Sequence, residues 1–215
     1  MLEGIRYGPD GLVPCVTQDH ASGEVLTLAF MSAESLRLTV ESGEIHFFSR
    51  SRGEIWRKGE SSGNVQRVRQ LRYDCDCDAV LALVEPAGPA CHTGERSCFY
   101  RELGGSAETA PDAPAVEGEP RPVAGEALAA LERTLRERAR DRPEGSYTAS
   151  LLEDPARLAA KVAEEAEEVT RAAREEGEDR IAEEAADLLY HLGVLLVSRD
   201  VSQAAVMEVL NGRRR

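Results

Sequence analysis

The sequence predicts two domains, an N-terminal mainly-β (α+β) domain and a C-terminal all-α helical bundle. All four Phe and the only Trp lie in residues 1–103, where short segments alternate apolar and polar residues between Gly-containing turns, as strands do. Residues 123–215 are dominated by Ala, Leu, Glu and Arg, which are strong helix formers. Residues 104–122 are rich in Gly, Pro, Ala and acidic residues, a composition typical of a linker.

Three segments of the first domain have strand patterns. Residues 24–28 and 44–48 alternate with period two, and residues 80–84 form a short apolar run that fits a buried strand. Met31 to Glu41 is expected to form one helix, with Ser32 as its N-cap.

The second domain is expected to contain four helices, near residues 124–140, 155–175, 178–198 and 201–212. Asp154 and Pro155 have the pattern of an N-cap followed by Pro at the first helical position. The third helix carries an apolar stripe at helical spacing, formed by Ile181, Ala185, Leu188, Leu192 and Leu195. Because four helices of this size bury little surface alone, we expect this half to pack against a second copy.

Charge and cysteine content exclude several classes of function. The formal net charge of −13 argues against a general nucleic-acid or membrane-surface binder, because both need a positive face. No apolar run approaches the ~20 residues of a membrane span, and the N-terminus lacks the pattern of a secretory signal. Four of the five cysteines lie between Cys75 and Cys98, which favours metal binding or chemistry over disulfides. A cytoplasmic location is therefore expected.

The densest group of candidate metal ligands is the segment YDCDCD at residues 73–78. If this segment is an extended strand, its three aspartates share one face and its two cysteines share the other. Carboxylates are hard ligands that suit Mg²⁺, and thiolates are soft ligands that suit Zn²⁺. The alternatives are a solvated aspartate turn and cysteines that pack as small apolar residues.

Two further thiols follow at Cys91 and Cys98. Three protein ligands would leave a fourth position on zinc for a water, the arrangement of a catalytic site. Zinc lowers the pKa of such a water to about 7. The alternative is a purely structural zinc that cross-links and stabilises a small β-domain.

A basic segment lies at residues 50–72, which contain seven basic residues and only two acidic residues, Glu54 and Glu60. The basic residues are Arg50, Arg52, Arg57, Lys58, Arg67, Arg69 and Arg72. Arg and Lys neutralise phosphate, and Ser hydroxyls and Gly amides bond its oxygens. The segment therefore predicts a phosphate site, with a solvated basic hairpin as the alternative.

Three blocks of the first domain resemble the signature blocks of phosphoribosyl-AMP cyclohydrolase from histidine biosynthesis. They are SRSRGEIWRKGESSGN, YDCDCDA and ACHTGERSCFY, in this order, and the resemblance covers most of residues 10–103. It implies a zinc hydrolase that opens the adenine ring of phosphoribosyl-AMP between N1 and C6. It also implies an intertwined dimer whose zinc site is built across the subunit interface.

The resemblance assigns roles to individual residues of this domain. The implied zinc ligands are Cys75, Cys91 and Cys98, and the implied Mg²⁺ ligands are Asp74, Asp76 and Asp78. Candidates for contact with the substrate and its phosphates are Arg50, Arg52, Trp56, Lys58, Ser61 and Ser62, although a lone Trp is by default a core residue. His92, beside Cys91, is the candidate general base, with an exposed loop histidine as the alternative. Cys77 is not a ligand in the family pattern and either is a bystander or competes with Cys75.

The second domain carries two acidic clusters, at residues 161–170 and 183–192. On a helix Glu164 and Glu168 lie one turn apart with Glu165 at the edge of their face, and Glu184 shares a face with Asp187. Like charges at these spacings cost stability unless something compensates them. A Mg²⁺ between two antiparallel helices would do so, and a plain solvated surface is the alternative.

The segments GSYTASLL, KVAEEAEEV and EEAADLLYHLGVLL resemble phosphoribosyl-ATP pyrophosphohydrolase, an all-α relative of the MazG-type nucleotide pyrophosphohydrolases. The resemblance covers about residues 145–213 and implies Mg²⁺-dependent hydrolysis of phosphoribosyl-ATP to phosphoribosyl-AMP and pyrophosphate. The implied Mg²⁺ ligands are Glu164, Glu165, Glu168, Glu184 and Asp187. Either Glu165 or Glu168 would orient or deprotonate the water, and Lys161 and Ser150 are candidate phosphate contacts. Tyr190 and His191 fit the family, but helix packing explains them equally well.

The two implied reactions are consecutive, since the second domain makes the substrate of the first. The sequence therefore predicts a bifunctional histidine-biosynthesis hydrolase that forms a homodimer and holds Zn²⁺ and Mg²⁺. A helical domain that removes non-canonical nucleotides is the alternative for the second half.

Overall fold

The computed structural model describes residues 4–101 and 124–213. The predicted linker at residues 104–122 lies outside the described residues, so its state stays a prediction. The chain divides into two compact units, Met1–Arg121 and Pro122–Arg215, which we call the first and second units. In the described residues the first unit is rich in strands and the second is helical, which agrees with the predicted two-domain architecture.

One six-stranded sheet forms the frame of the first unit, with strand order β4-β3-β2-β1-β6-β5. Its elements are β1 (Leu12–Asp19), β2 (Val25–Ser32), α1 (Ala33–Ser42), β3 (His46–Ser49), β4 (Glu54–Arg57), β5 (Gln66–Tyr73) and β6 (Val80–Pro86). β1 and β6 pair in parallel, and the other neighbouring strands pair antiparallel. The core includes the fully buried side chains of Val13, Leu26, Met31, Phe47 and Val84.

Helix α1 begins two residues later than the sequence pattern suggested. Met31 belongs to β2 and is fully buried, so the strand continues as far as the cap. Ser32 is the predicted N-cap, and its hydroxyl accepts a hydrogen bond from the Ser35 amide at 3.2 Å. The Ser35 hydroxyl accepts one from the Ser32 amide at 2.8 Å, which completes a reciprocal cap.

The segment from Asp74 to Asp78 forms a turn between β5 and β6, so the extended strand considered for it is wrong and the aspartate turn named as the alternative is correct. The Asp74 carboxylate accepts hydrogen bonds from the amides of Asp78 at 2.9 Å and Ala79 at 3.1 Å. Cys77 has the left-handed backbone conformation, with φ 66°. Short Asp side chains compete with strand pairing for backbone amides, and this favours a turn.

The second unit contains α2 (Ala127–Asp141), α3 (Tyr147–Glu153), α4 (Pro155–Glu175), α5 (Glu178–Ser198) and α6 (Gln203–Gly212), with a single 3₁₀ turn at Ala124–Glu126. The bounds of α4 and α5 agree with the prediction, and Asp154 caps α4 by accepting from the Arg157 amide at 2.9 Å. The sequence analysis missed α3. Its Tyr, Thr and Ser are weak helix formers, and the helix is held by the Ser146 cap and by the burial of Thr148 and Leu151.

The core of the second unit forms around Leu135, Leu151, Leu158 and Val194, which are 2% exposed or less. The predicted stripe on α5 is only partly covered within one chain, because Leu192 is 36% exposed. In the described residues, no helix combines the length and hydropathy that a bilayer span needs.

Candidate functional site

Two carboxylate clusters in the described residues have the geometry of a metal site. Each offers three ligand oxygens within 4.8 Å of one another. The first is the exposed group Asp74, Asp76 and Asp78, and the second is Glu165, Glu184 and Asp187.

The turn crowds the three aspartates of the first cluster and shifts the pKa values of Asp74 and Asp78 in opposite directions. Desolvation opposes ionisation of Asp74, but hydrogen bonds from the Ala79 and Asp78 amides outweigh it and lower the pKa of Asp74. The hydrogen bond with Asp74, together with the charges of Asp76 and Asp74, raises the pKa of Asp78. Crowded carboxylates of this kind are suited to a hard divalent cation.

Two of the three predicted zinc ligands lie close together in the loop after β6. The Thr93 hydroxyl donates to Cys91 Sγ at 3.1 Å, and the Thr27 hydroxyl lies 3.3 Å from Cys98 Sγ. Burial acts to raise the pKa of Cys91, but the Thr93 hydrogen bonds and a hydrogen bond from Cys98 outweigh it and lower that pKa. Burial raises the pKa of Cys98. The two thiols therefore differ in acidity, and Cys91 is the one that more readily forms the thiolate that binds a cation.

The loop that carries these thiols is fixed to the β1–β2 hairpin by Arg96. The Arg96 guanidinium donates to Glu24 at 2.6 Å and also pairs with Asp19. The Cys98 amide donates to the Leu26 carbonyl at 2.8 Å. Sequence reasoning missed Arg96, although it lies inside the block ACHTGERSCFY, and it missed Thr27, which is 71 residues from Cys98.

Cys75 does not join the other two thiols within one chain. It is exposed in the turn before β6, whereas Cys91 follows the other end of that strand. A seven-residue strand spans roughly 23 Å, and the three cysteines are not among the ligand clusters of the described residues. Cys77 is half-buried in the same turn as Cys75, and Cys15 is buried in the core, where burial raises its pKa to about 12.

A groove of about 480 Å³ contains most of the predicted substrate-binding residues. Its lining includes Thr27, Arg52, Trp56, Lys58, Ser61, Ser62, Cys91, His92 and Cys98. Trp56 is half-buried against Phe47, with ring centroids 5.4 Å apart, so it both packs on the core and faces the groove. The Lys58 ammonium, 9% exposed, donates to the Ala90 carbonyl. Arg50 is not in this lining, and its guanidinium lies 3.8 Å from the centroid of the Phe30 ring.

The second carboxylate cluster joins α4 to α5. Glu165 and Glu184 are 5% and 4% exposed, whereas Asp187 is exposed. Lys161 Nζ lies 3.0 Å from Glu165 Oε1, and Arg180 pairs with Glu184. The cluster thus holds two buried carboxylates beside two cations, with one side open to solvent.

The other predicted residues of this site lie around the cluster. Glu164 is exposed and pairs with Lys161 at 2.9 Å. Burial, followed by the charges of Glu184 and Glu165, raises the pKa of Glu168. Ser150 is half-buried, and its hydroxyl donates to the Tyr147 carbonyl at 2.8 Å.

In the comparison with known proteins, two different family models match two separate parts of the chain. The family model for phosphoribosyl-AMP cyclohydrolase matches residues 27–100, and that for phosphoribosyl-ATP pyrophosphohydrolase matches residues 128–214. The histidine biosynthesis bifunctional protein HisIE of Bacillus subtilis is 47% identical, over 97% of this chain and 94% of its own length. The HisIE protein of Pyrococcus furiosus is 46% identical, over 100% of this chain and 98% of its own length. The HisIE protein of Caldanaerobacter subterraneus is 42% identical, over 99% of this chain and 97% of its own length. The chain therefore belongs to the family of bifunctional histidine-biosynthesis proteins, in which a phosphoribosyl-AMP cyclohydrolase domain precedes a phosphoribosyl-ATP pyrophosphohydrolase domain.

Proposed function

We propose that the two hydrolytic activities of this enzyme use two separate metal centres, a zinc centre in the first unit and a magnesium centre in the second. The second unit hydrolyses phosphoribosyl-ATP, and the first unit opens the adenine ring of the phosphoribosyl-AMP that results. The chemistry of the ligand sets supports this assignment, because thiolates favour zinc and clustered carboxylates favour magnesium.

For the zinc centre we propose Cys91 and Cys98 of one chain and Cys75 of a second copy. Two observations support it. The thiols of Cys91 and Cys98 interact directly, and Cys75 is exposed at the opposite end of β6, where its own chain cannot complete the set. The proposal therefore requires a homodimer. When bound, zinc supplies a Lewis acid that lowers the pKa of a coordinated water.

The groove residues are proposed to bind and orient phosphoribosyl-AMP. Arg52, Lys58, Ser61 and Ser62 line it with positive charge and hydroxyls that suit a phosphate, and Trp56 offers an apolar wall. Arg50 stays a candidate for the same phosphates from the outer edge. His92 is exposed, and its Nδ1 lies 3.9 Å from Cys91 Sγ. This placement supports a role as the base that accepts the proton of the attacking water.

Besides the zinc centre and the magnesium centre of the second unit, we propose a further magnesium site in the first unit. The aspartates of the turn, Asp74, Asp76 and Asp78, form the site of the first unit. The site of the second unit comprises Glu164, Glu165, Glu168, Glu184 and Asp187. Lys161 and Ser150 are proposed to contact the phosphates of phosphoribosyl-ATP.

Between the two candidate bases of the second unit, Glu168 fits better than Glu165. Glu165 belongs to the buried ligand cluster and already faces Lys161. The raised pKa of Glu168 brings this carboxylate closer to the range in which it accepts a proton from water.

The second unit is proposed to be a MazG-like bundle that also pairs with a second copy. Its exposed large apolar side chains support this, because monomeric proteins seldom leave such surface open. They are Leu189, Leu192, Val201, Met207, Val209 and Leu210. The cytoplasmic location expected from the cysteine pattern stays a prediction.

Separation of the two activities tests the two-centre proposal. Full-length protein with Cys91→Ser should lose cyclohydrolase activity and bound zinc, yet still release pyrophosphate from phosphoribosyl-ATP. Glu184→Gln should lose pyrophosphate release from phosphoribosyl-ATP, yet keep bound zinc and cyclohydrolase activity when phosphoribosyl-AMP is supplied. A panel containing dUTP and dCTP serves as the specificity control. Loss of both activities in either variant, with folding intact, would contradict separate centres.

Subunit mixing tests the shared zinc centre. Cys75→Ser and Cys91→Ser chains are each expected to be inactive as cyclohydrolases. A mixed dimer would restore one intact set of three thiols, so an equal, fully exchanged mixture should regain about a quarter of wild-type activity. The control mixes Cys91→Ser chains with Cys98→Ser chains. Because Cys91 and Cys98 of one site come from the same chain in this proposal, no dimer in this mixture has a complete set of three thiols. Activity no higher than in this control would argue against a centre built from two chains.

A further inference from the structure

We propose that Tyr147 and His191 form a hydrogen-bonded pair that holds the Glu165 carboxylate in place, so that His191 is a positioning residue for phosphoribosyl-ATP hydrolysis. This inference rests on the role proposed above for Glu165 as a magnesium ligand. It concerns two residues that the function has not otherwise used.

The His191 ring is buried, 5% exposed, and contacts three helices of the second unit. Its Nδ1 lies 2.9 Å from the carbonyl oxygen of Asp187, on its own helix α5, and 3.5 Å from Glu165 Oε1 on α4. Its Nε2 lies 3.1 Å from the hydroxyl of Tyr147 at the start of α3. The ring therefore stands between the hydroxyl and the carboxylate.

The partners fix which atom of the neutral ring carries the proton. The Asp187 carbonyl can only accept a hydrogen bond, so Nδ1 must donate to it, and Glu165 Oε1 lies 3.5 Å from the same nitrogen. Nε2 is then the acceptor, and the Tyr147 hydroxyl donates to it. The hydrogen bonds run in one direction, from Tyr147 through His191 to the Asp187 carbonyl, and they place the polarised Nδ1–H group 3.5 Å from Glu165 Oε1.

Aromatic contacts restrict rotation of the ring. The Tyr190 ring meets it edge-on, with centroids 5.2 Å apart at 87°, and the Tyr147 ring does the same at 5.9 Å and 90°. A ring held on two sides presents Nδ1–H at a fixed position.

Glu165 benefits from a polar contact of this kind because its carboxylate is buried. Lys161 contacts Glu165 Oε1 from the same helix, so it cannot fix α4 against α5. His191 is the contact that links this carboxylate to α5, which carries Glu184 and Asp187. Hydrogen bonds to a ligand from outside the coordination shell orient it and tune its affinity for metal.

Two amide substitutions separate a positioning role from a packing role. In His191→Asn the amide nitrogen can take the place of Nδ1 and donate to Glu165. In His191→Gln the amide group lies at the place of Nε2 instead, so no donor remains near Glu165. Tyr147→Phe removes only the hydroxyl that donates to the ring.

The measurement is Mn²⁺ affinity of the full-length protein by electron paramagnetic resonance, together with kcat and KM for phosphoribosyl-ATP. Binding that remains in Glu184→Gln is subtracted, because it belongs to sites outside the helical cluster. We expect His191→Gln to lower Mn²⁺ affinity and kcat by about 10-fold or more, since substitutions outside the coordination shell cost 10–100-fold. His191→Asn should stay within about threefold of wild type, and Tyr147→Phe should fall between the two.

Equal Mn²⁺ affinity and kcat in His191→Gln and His191→Asn would overturn the inference. If His191→Gln does not fold, as judged by circular dichroism, Tyr147→Phe is the test variant. A change below about twofold in both Mn²⁺ affinity and kcat of Tyr147→Phe would then refute the proposal. A wild-type protein without Mn²⁺ binding sensitive to Glu184→Gln would instead refute the proposed magnesium centre. The two failures are therefore distinguishable.

Discussion

Replacement of Arg96 by Met removes the charge that holds the thiol-bearing loop while keeping an apolar stem of similar length. Arg96 pairs with Glu24 at 2.6 Å and with Asp19, whose side chains are 14% and 7% exposed. The substitution removes the cation that these two mostly buried carboxylates share. We therefore expect both a less stable first unit and a weaker zinc centre.

The magnitude follows from burial. Breaking a buried ion pair by removing one partner costs about 3–5 kcal/mol. The Arg96 side chain is 33% exposed, so water reaches part of the pair and reduces the cost to about 2–3 kcal/mol. Zinc affinity should fall about 10-fold or more, because Cys91 and Cys98 lie on either side of Arg96 in this loop.

Urea denaturation followed by tryptophan fluorescence measures the stability. Trp56 is the only tryptophan, so the signal reports the first unit alone, although a two-unit chain need not unfold in one step. Competition with a chromophoric chelator measures zinc affinity.

The matched control is Arg37→Met, which removes an arginine that bridges Glu34 and Glu41 at the surface. Exposed pairs contribute little, so its denaturation midpoint and zinc affinity should be close to those of wild type. If Arg96→Met were as stable as Arg37→Met and bound zinc as tightly as wild type, the role assigned to this ion-pair group would be refuted.

Three further outcomes follow from the structure. Gly59→Ala should destabilise the first unit by more than about 2 kcal/mol, because φ is +86° and a Cβ would lie 2.4 Å from the backbone of the same turn. As the control, Gly63→Ala should lower the free energy of unfolding by only about 1 kcal/mol in the same fluorescence assay, because its φ is +75° but a Cβ there would meet open space. In metal-free protein, Glu184→Gln should lower the raised pKa of Glu168 in a carboxyl-carbon NMR titration. Because a raised carboxyl pKa favours the protonated folded form, Glu168 contributes a gain in stability as the pH falls through that pKa, and thermal unfolding should show a smaller contribution in the variant than in wild type. Burial, which raises the pKa of Cys15 to about 12, should keep this thiol unalkylated at about pH 8 until urea unfolds the unit, as peptide mass spectrometry would reveal.

The sequence by itself determined the elements that local chemistry specifies. Residues 155–175 and 178–198 are helices with the predicted bounds, because strong helix formers fill them and Asp154 with Pro155 marks the start of the first. The apolar run at residues 80–84 is part of β6. The family resemblance, drawn from short blocks of residues, agrees with the comparisons on both activities.

Local rules also had identifiable failures. Alternation of Asp and Cys favoured a strand over the alternative of an aspartate turn, because it took no account of the hydrogen bonds that Asp74 accepts from the following amides. Helix α3 has weak local propensity and exists because Thr148 and Leu151 are buried against neighbouring helices.

Only the tertiary structure decided which side chains meet. Thr27 reaches Cys98 across 71 residues because the loop after β6 returns to β2, and His191 reaches Glu165 because α4 and α5 pack side by side. Sequence spacing fixes neighbours only along one helix or strand. Contacts between elements depend on sheet order and helix packing, which arise from burial of the whole core and have no local signature.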